Sequence, residues 1–117
     1  KIYFVTLMDL LVQAALGIND LATFRVAERQ ISESQRRVRR FRTLNQQYQG
    51  VLLTTQQEYS HLPPNDSFFT PFQDNVNVTQ QALNDELGRF HSIRDAMILY
   101  MANHGGHPDE LIDMFVP

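Results

Sequence analysis

Five arginines lie close together in one short stretch of this sequence, which reads Arg-Arg-Val-Arg-Arg-Phe-Arg from Arg36 to Arg42. Arginine binds carboxylates and phosphates through paired N–H donors, so a row of arginines suits an acidic protein surface or a nucleic acid backbone. If the stretch is helical, Val38 and Phe41 lie on an apolar stripe. The arginines then form a basic face, with Arg36, Arg39 and Arg40 opposite the stripe and Arg37 and Arg42 at its flanks.

This basic face has three interpretations. It can be a solvated face, neutralised in part by Glu33 of the same helix and by Asp85, Glu86 or Asp95 of a neighbouring helix. It can bind an acidic protein partner, or it can bind nucleic acid. The net charge of -3, the presence of a single lysine and the lack of a recognition-helix or RNA-binding motif argue against a dedicated nucleic-acid protein.

Two histidines, His104 and His107, are the second set of residues with chemical potential. They lie close to two carboxylates, and zinc accepts nitrogen and oxygen ligands in this kind of combination. The two glycines between the histidines are typical of the end of a helix, and the spacing matches no established zinc motif. We therefore expect a loop that ends a helix, with no cofactor, and retain His104 and His107 as weak metal candidates.

Arg94 is the third such residue, because it falls on an apolar stripe beside Phe90 and Met97. A buried unpaired charge is costly. Either the stem of Arg94 lies along the apolar surface and its guanidinium reaches water, or it pairs with an acid such as Asp9 or Glu28 and fixes the register of the helices.

No arrangement of residues in this chain predicts catalysis. Cysteine is absent, which excludes disulfides, thiol catalysis and thiolate metal sites. There is no Ser-His-Asp order, no glycine-rich phosphate loop and no defensible pair of catalytic carboxylates. We therefore expect a protein that is not an enzyme, and the motifs identify no family.

The elements that must position the arginines are helices. A long helix is predicted over about residues 20–60, because this stretch contains no proline, a single glycine (Gly50) and a three-four alternation of apolar residues. Asn19 or Asp20 is the expected N-cap. Ser34 and Asn45 are the polar residues on an otherwise apolar seam, which consists of Phe24, Ala27, Ile31, Val38, Phe41, Tyr48 and Leu52.

A second long helix is predicted over residues 71–103. Pro63 and Pro64 end the first helix, and Thr70 can cap the next one with Gln73 reaching back in a capping box. A later start at Asn77 is the alternative. Glycines inside the two helices, Gly50 and Gly88, mark close crossings or bends, or are merely tolerated.

Shorter helices are predicted at both ends. Residues 2–16 form an apolar helix with Phe4 and Leu11 on its broad face, too short and too polar in its middle to span a membrane. Gly17 ends this helix or kinks it. Pro108 opens a short C-terminal helix with acids in its first turn.

The fold class predicted from these elements is all-α: an elongated antiparallel helical hairpin with an N-terminal helix and a short C-terminal helix. We expect residues 1–117 to form a single helical domain and to be the ordered part of a longer chain. The predicted function is non-catalytic assembly, through oligomerisation or docking on protein partners. The alternative is an adaptor that uses the Arg36–Arg42 face, and the third hypothesis is a helical sensor with a site at His104 and His107. The expected helix-packing interface consists of Phe4, Leu11, Ile31, Val38, Phe41, Leu52, Leu87 and Phe90.

Overall fold

Two long α-helices and the connection between them make up most of the chain that the computed structural model describes, residues 17–117. Helix α1 spans Leu21–Glu58 and helix α2 spans Thr70–Asn103. Two 3-10 helices lie at Ser67–Phe69 and Pro108–Phe115. Residues 17–117 contain no strand. The prediction of an all-α helical hairpin is confirmed, and α1 ends within about two residues of its predicted bounds.

The predicted N-terminal helix, with Phe4 and Leu11, lies outside the described residues. Gly17 has a φ of 59°, a left-handed conformation that favours glycine. From Gly17 onward, the chain has no helix that is both long and apolar enough to cross a bilayer.

Asp20 fixes the start of α1, so the N-cap is Asp20 rather than Asn19. Its Oδ1 accepts the backbone N–H of Thr23 at 2.8 Å, and Thr23 Oγ1 accepts the backbone N–H of Asp20 at 3.1 Å. The two residues thereby satisfy each other's free donors at the helix start. Because the Thr23 backbone N–H and hydroxyl bond the charged carboxylate, the pKa of Asp20 lies below its ordinary value.

The connection between the helices leads into α2 through a 3-10 turn rather than through the predicted capping box. Asp66 caps this turn by accepting the backbone N–H of Phe68 at 2.9 Å. The backbone N–H of Thr70 donates to Ser67 O, and the Gln73 side chain donates forward to Asn77 at 3.0 Å. The predicted Thr70–Gln73 box is therefore wrong. The alternative start at Asn77 is also wrong, since α2 begins at Thr70.

The described chain forms two compact units, of which the first comprises residues 17–36 and 87–117. Ile31, Phe90 and Met97 have no exposed surface, and Ser34, a predicted polar seam residue, is equally buried. Burying an aliphatic or aromatic side chain contributes about 1.5–3 kcal/mol. The apolar core of this unit consists of Phe24, Ala27 and Ile31 from α1 and Phe90, Ile93, Ala96, Met97 and Met101 from α2. A single domain over the whole chain stays a prediction.

The second unit comprises Arg37–Glu86 and has a more polar core. Its buried apolar side chains are those of Val38, Phe69 and Leu83, and its buried polar side chains are those of Asn45, Thr79 and Glu86. Burial of Asn45 agrees with its predicted place on the apolar seam. A buried amide in such a position needs hydrogen-bond partners.

Asn45 finds those partners on both helices. Its Nδ2 donates to Val76 O and to Thr79 Oγ1 of α2, each at 3.0 Å. Its Oδ1 accepts Gln49 Nε2 at 2.6 Å. Thr79 Oγ1 in turn donates to Asn75 O at 2.8 Å. A shift of one helix along the other would break the two bonds from Asn45 to α2, so Asn45 favours this pairing of α1 and α2 within the unit.

Glycines end α2 but have no packing role inside the helices. Gly105 has a φ of 73°, and the N–H of Gly106 donates to Met101 O at 2.9 Å, which is a Schellman-type helix end. A Cβ on Gly106 would come within 3.1 Å of the Met101 Cβ. At Gly50 and Gly88, an added Cβ would meet nothing within 4 Å. The close-crossing interpretation of these two glycines is therefore wrong.

The predicted short C-terminal helix is present at Pro108–Phe115, and it is of the 3-10 type. Pro108 stands at its start and acids follow in its first turn, as predicted. Leu111, with φ of −115° and ψ of 20°, departs from helical geometry. The segment is tied to α1 by Gln35, whose Nε2 donates to Asp113 O at 3.0 Å and to Val116 O at 2.6 Å.

Candidate functional site

The arginine run, residues Arg36–Arg42, lies near the middle of α1. Its side chains are placed as the helical period predicts. Val38 is fully buried and Phe41 is half-buried. The exposed arginines are Arg36, Arg39 and Arg40, and the half-buried ones are Arg37 and Arg42. The helix period therefore turns the charged side chains outward and the apolar ones inward.

Arg37 differs from the other four because it has a buried counter-charge. Its Nε lies 2.8 Å from Glu86 Oε1, and Glu86 is only 3% exposed. The other acids expected to oppose the run bond elsewhere: Asp85 accepts Gln81 Nε2 at 2.8 Å, and Asp95 pairs with Arg94. Of the three acids predicted on the neighbouring helix, Glu86 is thus the one that pairs with one of the five arginines.

Four arginines of the run keep their charge unpaired. Across residues 17–117, Arg36, Arg39, Arg40 and Arg42 form no hydrogen bond or ion pair through their guanidinium groups. The guanidinium of Arg40 lies 5.6 Å from the ring centroid of Phe41, a cation–π distance that keeps it beside apolar ring surface. We name these four residues the arginine face. Chemically, it presents planar N–H donors to carboxylates or phosphates.

The predicted helix-packing residues are largely used inside the chain. Ile31, Val38 and Phe90 have 0% exposure. They therefore pack within this chain, and their side chains are not accessible to a second chain. Phe41, Leu52 and Leu87 are half-buried. The large apolar side chains that remain exposed on the two helices are those of Leu21, Val26, Val51, Leu53 and Val78.

Of the two interpretations of Arg94, the structure excludes a register-fixing pair with Glu28 and agrees with a guanidinium that reaches the surface. Its Nη2 lies 3.1 Å from Asp95 Oδ1, and 29% of its side chain is exposed. Glu28, one of the predicted partners, pairs instead with Arg25 at 3.1 Å. The other predicted partner, Asp9, lies outside the described residues. Arg94 thus reaches its sequence neighbour at the edge of the stripe instead of forming a register-fixing pair with Glu28.

The histidine candidates are separated by the helix end. The ring of His104 stacks on Tyr100 with centroids 4.0 Å apart, and its Nδ1 lies 2.8 Å from Tyr100 O. His104 borders a cavity of about 90 Å³, well below the roughly 300 Å³ at which small-molecule sites begin. Between Gly17 and Pro117, no three His, Asp or Glu side chains are grouped to hold a metal. His107, at the start of the C-terminal 3-10 helix, is exposed and gains no second or third ligand there.

Two features escaped the sequence interpretation. The first is the hydrogen bond between Asn45 and Thr79, for which the only sequence signal is a polar residue, Asn45, on the apolar seam of α1. The C-terminal segment has a stronger signal, because Asp109, Glu110 and Asp113 surround an apolar Ile112 in the sequence. All four of these side chains are exposed.

Comparison with protein-family models, with curated proteins and with solved structures found no match to this chain.

Proposed function

We propose that this chain is a non-catalytic assembly element that docks on an acidic surface of a protein partner through the arginine face of α1. The observation that carries this proposal is the set of four guanidinium groups without a counter-charge among residues 17–117, three of them on exposed side chains and that of Arg42 on a half-buried one. The apolar stripe beneath them is taken up by packing within the chain. Docking through polar contacts on the outside of α1 leaves that packing undisturbed.

Charge repulsion supports a binding role for the arginine face. Residues three or four apart are neighbours on a helix surface, and like charges there destabilise an isolated helix by about 0.2–0.5 kcal/mol per pair. Arg39 and Arg42 have this spacing, and so do Arg36 and Arg40. Carboxylates from a partner would replace this repulsion with charge-assisted hydrogen bonds. A face used only for solubility gains nothing from such clustering of one sign.

The same arginines could hold nucleic acid, and the test separates the two partners. Light scattering measures molar mass at low and high salt, alone, with polyglutamate and with an oligonucleotide. We expect complex formation with polyglutamate, and loss of that complex in R39Q/R40Q. The matched control R25Q/R94Q removes the same charge from arginines that are already paired, and it should bind as the unaltered chain does.

Two results would overturn the proposal. One is a chain that gains mass only with the oligonucleotide, with the steep salt dependence of phosphate binding. The other is equal loss of polyglutamate binding in R39Q/R40Q and R25Q/R94Q, which would show that net charge, and not this face, is responsible.

A further inference from the structure

The C-terminal 3-10 helix presents the chemistry that the arginine face would bind. Asp109, Glu110 and Asp113 are exposed, and their carboxylates bond to nothing else in the described part of the chain. Between them stands Ile112, which is 61% exposed. Val116, immediately after the segment, is 56% exposed. The segment therefore displays three unpaired negative charges around two uncovered apolar side chains.

The backbone of this segment is held in place while those side chains face solvent. Gln35 of α1 donates to Asp113 O and Val116 O, which engages carbonyl groups and leaves the Asp113 carboxylate free. No residue of the segment is fully buried. Holding a peptide in one conformation before it binds reduces the entropy lost on binding.

We propose that the partner of the arginine face is a second copy of this chain, which contributes its segment Pro108–Phe115. This inference rests on the proposed function and identifies the acidic partner that the arginine face binds. Four unpaired arginines on one copy meet three unpaired acids on the other, so the charges are nearly balanced. The ring of Phe41 belongs to the apolar stripe but is only half-buried, and the Arg40 guanidinium lies 5.6 Å from its centroid. Its exposed part gives Ile112 an apolar surface next to Arg40. Charged groups around an apolar contact are the usual arrangement of a protein interface.

The test is self-association of the full chain, measured by light scattering over a range of concentrations. The unaltered chain should form a discrete oligomer that weakens with salt. D109N/D113N should weaken the association about tenfold or more, on the scale of losing interfacial charge pairs. The control E58Q/D74N removes the same charge from exposed acids elsewhere and should leave the oligomer unchanged. I112A should weaken association at high salt as well, because its contact is apolar.

Charge reversal gives the decisive comparison. R39E/R40E and D109K/D113K should each be monomeric alone and should associate when mixed, since each supplies the charge that the other lacks. Circular dichroism of both variants checks that the helices persist. A failure of the mixture to associate, in chains that keep their helices, overturns the inference.

The proposed function can survive that failure. If the unaltered chain stays monomeric but binds polyglutamate through Arg39 and Arg40, the proposal of an acidic protein partner stands. A second copy of the chain is then excluded as that partner. A chain that shows neither self-association nor polyglutamate binding would overturn both proposals.

Discussion

Removal of the Asn45 side chain should destabilise the protein far more than removal of an exposed asparagine. Asn45 is 4% exposed and makes two hydrogen bonds to α2 and one to Gln49. Each bond contributes about 1 kcal/mol net, so Asn45→Ala loses about 2–3 kcal/mol. Alanine favours the helix by about 0.5 kcal/mol over asparagine, which leaves a net loss of about 2 kcal/mol.

The matched control is Asn84→Ala in α2. Asn84 is exposed, and its side chain accepts only Gln80 Nε2 at 3.0 Å, so the change should be neutral or stabilising by a few tenths of a kcal/mol. Urea unfolding followed by far-UV circular dichroism measures both free energies. If the two variants lie within about 0.5 kcal/mol of each other, the buried amide does not stabilise the pairing of the helices and the reasoning is wrong.

A double-mutant cycle tests the same contact directly. Thr79→Val keeps the shape of the side chain and removes the hydroxyl that Asn45 Nδ2 contacts. The cycle of Asn45→Ala with Thr79→Val should give a coupling free energy of about 1 kcal/mol, and additive effects would show that the two side chains do not cooperate.

Three further predictions concern the helix ends and the ion pair of the run. Gly105→Ala should lower the free energy of unfolding by about 1–2 kcal/mol, because Gly105 has a left-handed φ. Gly88→Ala should raise it by about 0.5–1 kcal/mol, because an added Cβ meets nothing and alanine favours a helix. Thermal unfolding compares the two variants. Asp20 has a lowered pKa in the folded chain, so it stabilises above its unfolded value near 3.8, and this contribution is lost as the pH falls through the folded value. Asp20→Asn should therefore flatten the acid side of the stability–pH profile, and an unchanged slope would contradict the cap. Arg37→Ala should lower the free energy of unfolding by about 2 kcal/mol, because it removes a charge-assisted hydrogen bond to the buried Glu86 carboxylate. The exposed Arg36→Ala should change it by no more than about 0.5 kcal/mol, and urea unfolding measures both.

The fold could be predicted because it depends on periodicity. The apolar seam marked which side of α1 is buried, and two prolines marked where it ends. The same period placed the arginines, since Val38 on the stripe fixes the direction of its neighbours. These are local properties of the chain, which one sequence contains in full.

The pairing of charges and caps could not be predicted in this way. The helical period suggested Asp9 or Glu28 as partners of Arg94, but its side chain pairs with the next residue, Asp95. The Thr70 capping box failed because a 3-10 turn had already taken the Thr70 N–H. Both outcomes depend on where neighbouring groups lie in three dimensions. They also explain why Glu86 could not be singled out from the other acids predicted to neutralise the arginines, which were Glu33, Asp85 and Asp95.

The lack of a buried residue in Pro108–Phe115 has a consequence for the dynamics of the chain. Regions with few buried contacts open locally at a small fraction of the global unfolding free energy. Amide hydrogens of this segment should therefore exchange with solvent long before those around Ile31 and Phe90, which are fully buried. Between such openings the two Gln35 bonds hold the segment in its closed conformation, so its amides exchange first although the closed form stays the main one.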